Sequence, residues 1–154
     1  ETFQINGHIN QVLRGLNYLR SHADTDTNSI GILGFSRGAL LTLQASIEQP
    51  DDIHAIVLMA PASGKGAINN TLKQVSSLSA PVKILVSEND NVSEDHVRVA
   101  HDVERTLIAA GKDVSLTIYP PHGNDGHRMF FIVQEPYWSD LISFLDKFIG
   151  RPTG

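Results

Sequence analysis

The sequence predicts an α/β domain built on a parallel sheet of about four strands with flanking helices. Four short apolar segments, at residues 29–35, 53–60, 82–87 and 114–119, alternate with segments of helical periodicity. The second apolar segment is nearly continuous, which is typical of a strand covered on both faces. Strands separated by helices form parallel, right-handed βαβ units. The chain is long enough for one such domain, spanning residues 1–154.

Helical periodicity begins the chain and resumes after the first strand. Apolar residues at intervals of three and four predict an opening helix that ends near Ser21. A second apolar helix follows the first strand and extends to about Glu48. Residues 61–79 are rich in Gly, Asn and Ser, so we predict a loop there with one short helix at about 72–78.

Two further helices follow the third and fourth strands. Ser93 is predicted as the N-cap of the first of them, because Glu94 and Asp95 would then suit the dipole of its first turn. Gly111 is predicted as the C-cap of this helix. A closing amphipathic helix ends at Gly150. The predicted buried stripe of the capped helix consists of Val97, Ala100, Val103, Leu107 and Ala110.

Composition excludes several classes of function. The net charge of −5, with no basic cluster, argues against a nucleic-acid partner. The absence of cysteine excludes disulfides, thiolate metal sites and cysteine catalysis. No apolar run reaches membrane-spanning length, and the first residues do not resemble a signal peptide. These features predict a cytoplasmic protein without a membrane partner.

The sequence Gly34-Phe35-Ser36-Arg37-Gly38 lies between a predicted strand and a predicted helix. A Gly-x-Ser-x-Gly motif in this context is typical of a nucleophile elbow. The sharp turn strains the serine backbone and raises its hydroxyl clear of the sheet, while glycines let neighbouring backbone pass without a Cβ clash. The motif therefore makes Ser36 a candidate nucleophile.

Acidic and histidine side chains follow two of the other strands. In parallel sheets, functional groups gather where the strands end at their carboxyl edge. Glu88 and Asp90 follow the third strand, and His122 and His127 follow the fourth. Together with Ser36 they give the chain order serine, acid, histidine. A serine hydroxyl needs an adjacent base to take its proton, and a carboxylate orients that base.

The motifs at residues 34–38, 84–90 and 119–127 resemble the α/β-hydrolase superfamily, within it the dienelactone-hydrolase-like and prolyl-oligopeptidase-like esterase branch. The resemblance spans essentially the whole chain. It implies that the chain is the C-terminal half of an α/β-hydrolase fold, since the family sheet usually has eight strands.

The resemblance also suggests roles for the acid and the base. Asp90 holds the position of the family acid, although Ser87 replaces the glycine of the family's Gly-x-x-Asp turn; Glu88 is the alternative acid. His127 resembles the family's Gly-His followed by an aromatic residue and is preferred as the base. His122, directly after Tyr-Pro, is the alternative. The remaining histidines are expected at the surface or in packing: His8, His22, His54, His96 and His101.

The implied activity is that of a serine hydrolase, which cleaves a small carboxylic ester through an acyl-Ser36 intermediate. The resemblance implies neither a metal nor an organic cofactor. The backbone N–H of Arg37 would be one donor of the oxyanion hole. The alternatives are a peptidase or thioesterase of the same superfamily and a non-catalytic binding domain that retains the fold.

Two parts of the family fold would precede Glu1. One is the loop with the second oxyanion donor, and the other is the strand beside the elbow strand. Without that strand, we expect Ile30 and Ile32 to be exposed on an unpaired edge, which is a hazard for aggregation. The edge is therefore expected to pair with another chain or with an N-terminal segment missing from this sequence.

Overall fold

The computed structural model describes residues 2–150, with side-chain burial described from residue 7 onward. Helices and strands alternate along the chain, as predicted. The helices are α1 (Thr2–Ser21), α2 (Arg37–Glu48), α3 (Ala67–Leu72), α4 (His96–Ala109) and α5 (Tyr137–Ile149). The strands are β1 (Gly31–Phe35), β2 (Ala55–Met59), β3 (Val82–Ser87) and β4 (Val114–Tyr119). Two short 3-10 helices lie at Val75–Ser77 and Gly126–Phe131.

The four strands form one parallel sheet in the order β1-β2-β3-β4. This confirms the predicted α/β architecture. Every residue of β2 is buried, as its continuous apolar sequence predicts. All four strands run in the same direction, so their carboxyl ends, including Phe35, Met59 and Ser87, meet at one edge of the sheet. The predicted site residues follow strands at this edge.

Side chains of the central strands alternate between two apolar clusters, one on each face of the sheet. Ile56 and Leu58 belong to the larger cluster, which includes residues of α1, α2 and α4. Val57 and Met59 belong to the smaller one, with residues of α5 and of the 3-10 helix Gly126–Phe131. Both faces are therefore covered by helices. Of the helices described between residues 2 and 150, none is long and apolar enough to cross a membrane.

The start of α4 differs from the prediction. Its N-cap is Asp95 rather than Ser93, and the Asp95 carboxylate accepts a hydrogen bond from the backbone N–H of Arg98 at 2.9 Å. The Glu94 carboxylate instead accepts from the backbone N–H of Ser63, also at 2.9 Å. The loop after β2 thus removes Glu94 from the first turn and delays the helix to His96.

Other local predictions are partly wrong. The helix predicted at 72–78 is α3, which ends at Leu72, and a 3-10 helix occupies part of the predicted range. In α4, Val99 is buried beside the predicted Ala100, whereas Ala110 is exposed because it lies beyond the last residue of the helix. Gly111 follows the helix with a φ of 70°, consistent with its predicted role at the C-terminus.

The predicted exposure of Ile30 and Ile32 is wrong. Ile30 is buried and Ile32 is half-buried, because both side chains face the larger cluster under α1 and α2. Leu33 points to the opposite face and is 49% exposed. Within residues 2–150, β1 pairs with β2 alone, so it is an edge strand, as expected.

Candidate active site

Ser36 occupies the sharp turn between β1 and α2. Its φ of 55° and ψ of −118° lie outside the regions that non-glycine residues normally adopt. Three backbone hydrogen bonds hold this strained residue. Ser36 N–H donates to Met59 O at 2.9 Å, and Ser36 O accepts from Ala39 N–H at 3.0 Å and Ala62 N–H at 3.2 Å. Its side chain is half-buried and makes no cap hydrogen bond among the described residues, so Oγ is available for chemistry.

The two glycines of the motif have different surroundings. A Cβ added to Gly34 would fall on the carbonyl oxygen of Gly38 and on the hydroxyl of Thr42, so only glycine fits there. This confirms the predicted close approach at Gly34. A Cβ added to Gly38 would have none of the described atoms within 4 Å. The prediction that neighbouring backbone passes close by is therefore wrong for Gly38.

Arg37 is the first residue of α2, and its side chain is exposed. The first N–H groups of a helix have no acceptor within that helix. The backbone N–H of Arg37, which directly follows Ser36, therefore has no acceptor within α2. It lies at the positive end of the helix dipole, where negative charge is stabilised. This is the chemistry that an oxyanion requires.

Asp90 follows β3 and is completely buried. Its carboxylate oxygens both lie 3.0 Å from His127 Nδ1. An ionised carboxylate only accepts hydrogen bonds, so Nδ1 donates, and in the neutral imidazole Nε2 then carries the lone pair. Burial raises the pKa of Asp90, while the hydrogen bond from His127 and the nearby imidazole of His96 oppose that effect. The structure thus brings the preferred acid and the preferred base together.

His127 lies in the 3-10 helix Gly126–Phe131, and several contacts fix it. The Asp125 carboxylate caps this helix and accepts from the backbone N–H of His127 at 3.1 Å. Rings from two other elements pack against the imidazole: Phe35 with a centroid distance of 4.5 Å and His96 with 4.3 Å. Phe35 immediately precedes Ser36, so its ring connects the turn at Ser36 to the imidazole of His127.

Asn89 joins the loop that carries Asp90 to the loop after β4. Its side-chain oxygen accepts from Ser87 Oγ at 3.0 Å and from the backbone N–H of His122 at 2.9 Å. Its amide nitrogen donates to Gly123 O at 3.1 Å. The loops also approach closely at Gly126, where an added Cβ would lie 2.7 Å from Asn89 Oδ1. Asn89 was not predicted from the sequence as a site residue.

The alternative site residues lie elsewhere. Glu88 is exposed, and its backbone N–H donates to Tyr119 O at 2.8 Å. His122 contributes its backbone N–H to Asn89, while the imidazole that hydrogen-bonds to Asp90 belongs to His127. The geometry therefore favours Asp90 and His127 over their alternatives.

His96 is a further member of the site, whose role the sequence did not reveal. It is buried at the start of α4, and its Nε2 lies 3.9 Å from Asp90 Oδ1. Burial fits the predicted packing role, but the contact with the acid joins residues that no sequence motif links. His101, on the same helix, is exposed, as predicted.

Asp90, His96 and His127 each offer one ligand atom, and these atoms lie within 4.8 Å of one another. Metal-bound imidazoles direct their in-plane lone pairs at the ion. Here the two rings are stacked with 27° between their planes, so an ion between them would lie out of both planes. The arrangement suits a hydrogen-bonded acid–base pair with a packed second ring better than a metal centre.

Comparisons with known proteins indicate the family and the fold of the chain. A model of the dienelactone hydrolase family matches residues 4–141. No curated protein matches the sequence. The structure of a dienelactone hydrolase from Anabaena variabilis is similar, with 18% identity and a TM-score of 0.72, over 96% of this chain and 62% of that protein.

Two further solved structures have a similar fold, one of an esterase and one of a peptidase. An esterase from Pyrococcus furiosus has 18% identity and a TM-score of 0.71, over 94% of this chain and 63% of that protein. A dipeptidyl peptidase 4 from Porphyromonas gingivalis has 16% identity and a TM-score of 0.69, over 91% of this chain and 22% of that protein. The chain thus spans less than two thirds of each of these proteins. The family model covers most of the chain, which therefore belongs to the dienelactone hydrolase family.

Proposed function

We propose that this protein is a serine hydrolase that cleaves carboxylic esters. The observation that carries the proposal is the pair formed by Asp90 and His127, whose Nδ1 lies 3.0 Å from both carboxylate oxygens. Phe35 packs on the same imidazole and immediately precedes Ser36 in its strained turn. A nucleophile, a base and a group that orients the base are thus contributed by three adjoining loops.

In the proposed reaction, Ser36 Oγ attacks the carbonyl carbon of the ester while His127 Nε2 takes its proton. Asp90 keeps the imidazole in the required tautomer and stabilises the imidazolium. The negative charge on the former carbonyl oxygen is stabilised by the N–H of Arg37. The C–O bond to the alcohol then breaks, and the alcohol leaves with the proton from Nε2. Water, activated by the same imidazole, hydrolyses the acyl-Ser36 ester and releases the acid.

Hydrolase activity is the broader part of this proposal, and the ester substrate is the narrower one. The names of the similar structures include a dienelactone hydrolase, an esterase and a dipeptidyl peptidase. Between esters and peptides we favour esters, because an alcohol leaves a tetrahedral intermediate more easily than an amine does. The described chain offers the Arg37 N–H for the oxyanion, and loss of one such donor typically costs about a hundredfold or more in rate.

We further propose that the free edge of β1 pairs with another strand, from a second chain or from an additional N-terminal segment. Among residues 2–150 no strand pairs with this edge, and Leu33 beside it is 49% exposed. The chain spans 62% of the similar dienelactone hydrolase, which leaves room for such a segment. The added segment would also supply the second oxyanion donor. Esterase activity of the 154-residue chain equal to that of an N-terminally extended form would contradict this.

A fluorophosphonate probe tests the assignment of the nucleophile directly. We expect the probe to label the protein, and Ser36→Ala to abolish both labelling and turnover of a p-nitrophenyl ester. Ser143→Ala is the matched control, because Ser143 is an exposed serine on α5 and should be dispensable. Labelling that survives Ser36→Ala would exclude the proposed nucleophile. Absence of labelling and turnover in an extended form would instead favour a non-catalytic binding domain.

A further inference from the structure

The side chain of His96 is enclosed by three loops at the carboxyl edge of the sheet. It is 2% exposed. Its Nδ1 lies 3.2 Å from the carbonyl oxygen of Pro61, in the loop after β2. Its Nε2 lies 3.9 Å from Asp90 Oδ1, in the loop after β3. Its ring stacks on His127, in the loop after β4. A single buried side chain thus contacts all three loops.

The hydrogen bond to Pro61 determines the orientation of the His96 ring. A carbonyl oxygen only accepts hydrogen bonds, so Nδ1 carries a proton and donates a hydrogen bond to Pro61 O. In neutral His96, Nε2 then has a lone pair, which Ser93 Oγ approaches at 3.5 Å. The separation of 3.9 Å between Nε2 and Asp90 Oδ1 is too long for a hydrogen bond. Both oxygens of Asp90 therefore remain available to His127.

The orientation of His127 depends on what packs against its faces. Its Nδ1 must point at Asp90 while Nε2 stays directed towards the nucleophile. The hydrogen bond to Asp90 anchors one atom of the ring but does not by itself prevent tilting about that atom. The stacked ring of His96, at a centroid distance of 4.3 Å and 27° between planes, restricts that tilt. Phe35 provides a second packed ring at 4.5 Å.

We propose that His96 is a positioning residue, whose ring holds the imidazole of His127 in line with Asp90. This rests on the proposed function for its kinetic consequence, although the geometry of the pair can be measured without catalysis. The ring itself is the acting part. Its burial among the three loops keeps it in place, and the hydrogen bond to Pro61 adds to that restraint.

Two substitutions separate the ring from its hydrogen bond. His96→Phe keeps an aromatic ring but loses the donor to Pro61, whereas His96→Asn keeps an N–H donor but loses the ring. We expect His96→Asn to lower kcat by about tenfold to a hundredfold, with KM changed by less than about twofold, because misplaced catalytic groups affect chemistry more than binding. His96→Phe should restore kcat to within about fivefold of the parent. His101→Asn, on the exposed face of the same helix, should have no effect.

A spectroscopic measurement in the Ser36→Ala background tests the geometry independently of turnover. In that background we expect a strongly downfield Nδ1–H proton signal from His127, which His96→Phe retains and His96→Asn broadens or shifts upfield. If the protein has no esterase activity, the proposed function fails while this signal still decides the role of His96. An unchanged signal and unchanged kcat in His96→Asn would overturn the inference. Equal losses in His96→Asn and in a folded His96→Phe would also overturn it, because the ring would then not be the acting part.

Discussion

Removal of the Asn89 side chain should both destabilise the protein and separate the two loops that carry the acid and the base. Asn89→Ala deletes two short, partly buried hydrogen bonds, from Ser87 Oγ and from the His122 N–H, a long one of 3.5 Å to His122 O and an exposed one to Gly123 O. Ser87 Oγ keeps a second partner, Pro120 O at 3.1 Å, whereas the His122 N–H loses its acceptor. At about 1 kcal/mol for each of the two short, partly buried bonds, and less for the long one and the exposed one, the free energy of unfolding should fall by about 2 kcal/mol.

Urea unfolding of Asn89→Ala beside Asn91→Ala measures this effect. Asn91 lies two residues away in the same loop and is exposed, so its substitution should change the free energy of unfolding by less than about 0.5 kcal/mol. Turnover should fall in Asn89→Ala and not in Asn91→Ala, because Asn89 is the one of these two asparagines whose side chain hydrogen-bonds to the loop after β4. Equal stability and equal turnover of the two variants would refute the reasoning.

Three further predictions concern the acid–base pair and the elbow. His127→Ala should reduce turnover by about a thousandfold or more and His122→Ala far less; the opposite ranking in p-nitrophenyl ester kinetics would make His122 the base. Burial raises the pKa of the Asp90 carboxyl, so this group binds its proton more tightly in the folded state than in the unfolded state. Protonated Asp90 therefore stabilises the fold, and this stabilisation is lost as pH rises and the buried carboxyl ionises. Asp90→Asn should therefore resist urea better than the parent at pH 8, with a smaller difference at pH 4, and an equal difference at both pH values would contradict this. Gly34→Ala should destabilise the protein by about 3 kcal/mol in the same assay, because its Cβ has no space, whereas Gly38→Ala should be neutral or stabilising.

The sheet could be predicted from the sequence because its signals are local. The apolar runs at residues 53–60 and 82–87 correspond to β2 and β3, whose side chains are buried on both faces. The start of α4 was predicted less accurately than the strands. Ser93 and Asp95 are both good N-caps, and the choice depends on a hydrogen bond between Glu94 and a loop about thirty residues earlier.

The site was predictable to the extent that motifs identify it. The serine motif, the acid turn and the Gly-His pair indicate Ser36, Asp90 and His127, and the structure places the last two in contact. His96 and Asn89 carry no such signal. Their hydrogen-bond partners Pro61 and His122 lie more than thirty residues away in the chain, so these contacts exist only once the strands are paired.

The simple order of the strands has a consequence for how the protein folds. Within residues 2–150, each strand pairs only with its neighbours in the chain, and the paired residues are 24 to 32 positions apart. Doubling a loop of this length would add only about 0.6 kcal/mol to the entropic cost of closing it. Representative pairs are Gly31 with Ala55, Ile56 with Val82, and Val82 with Val114. We therefore expect these three pairings to form in order, from β1 with β2 to β3 with β4, as the chain leaves the ribosome.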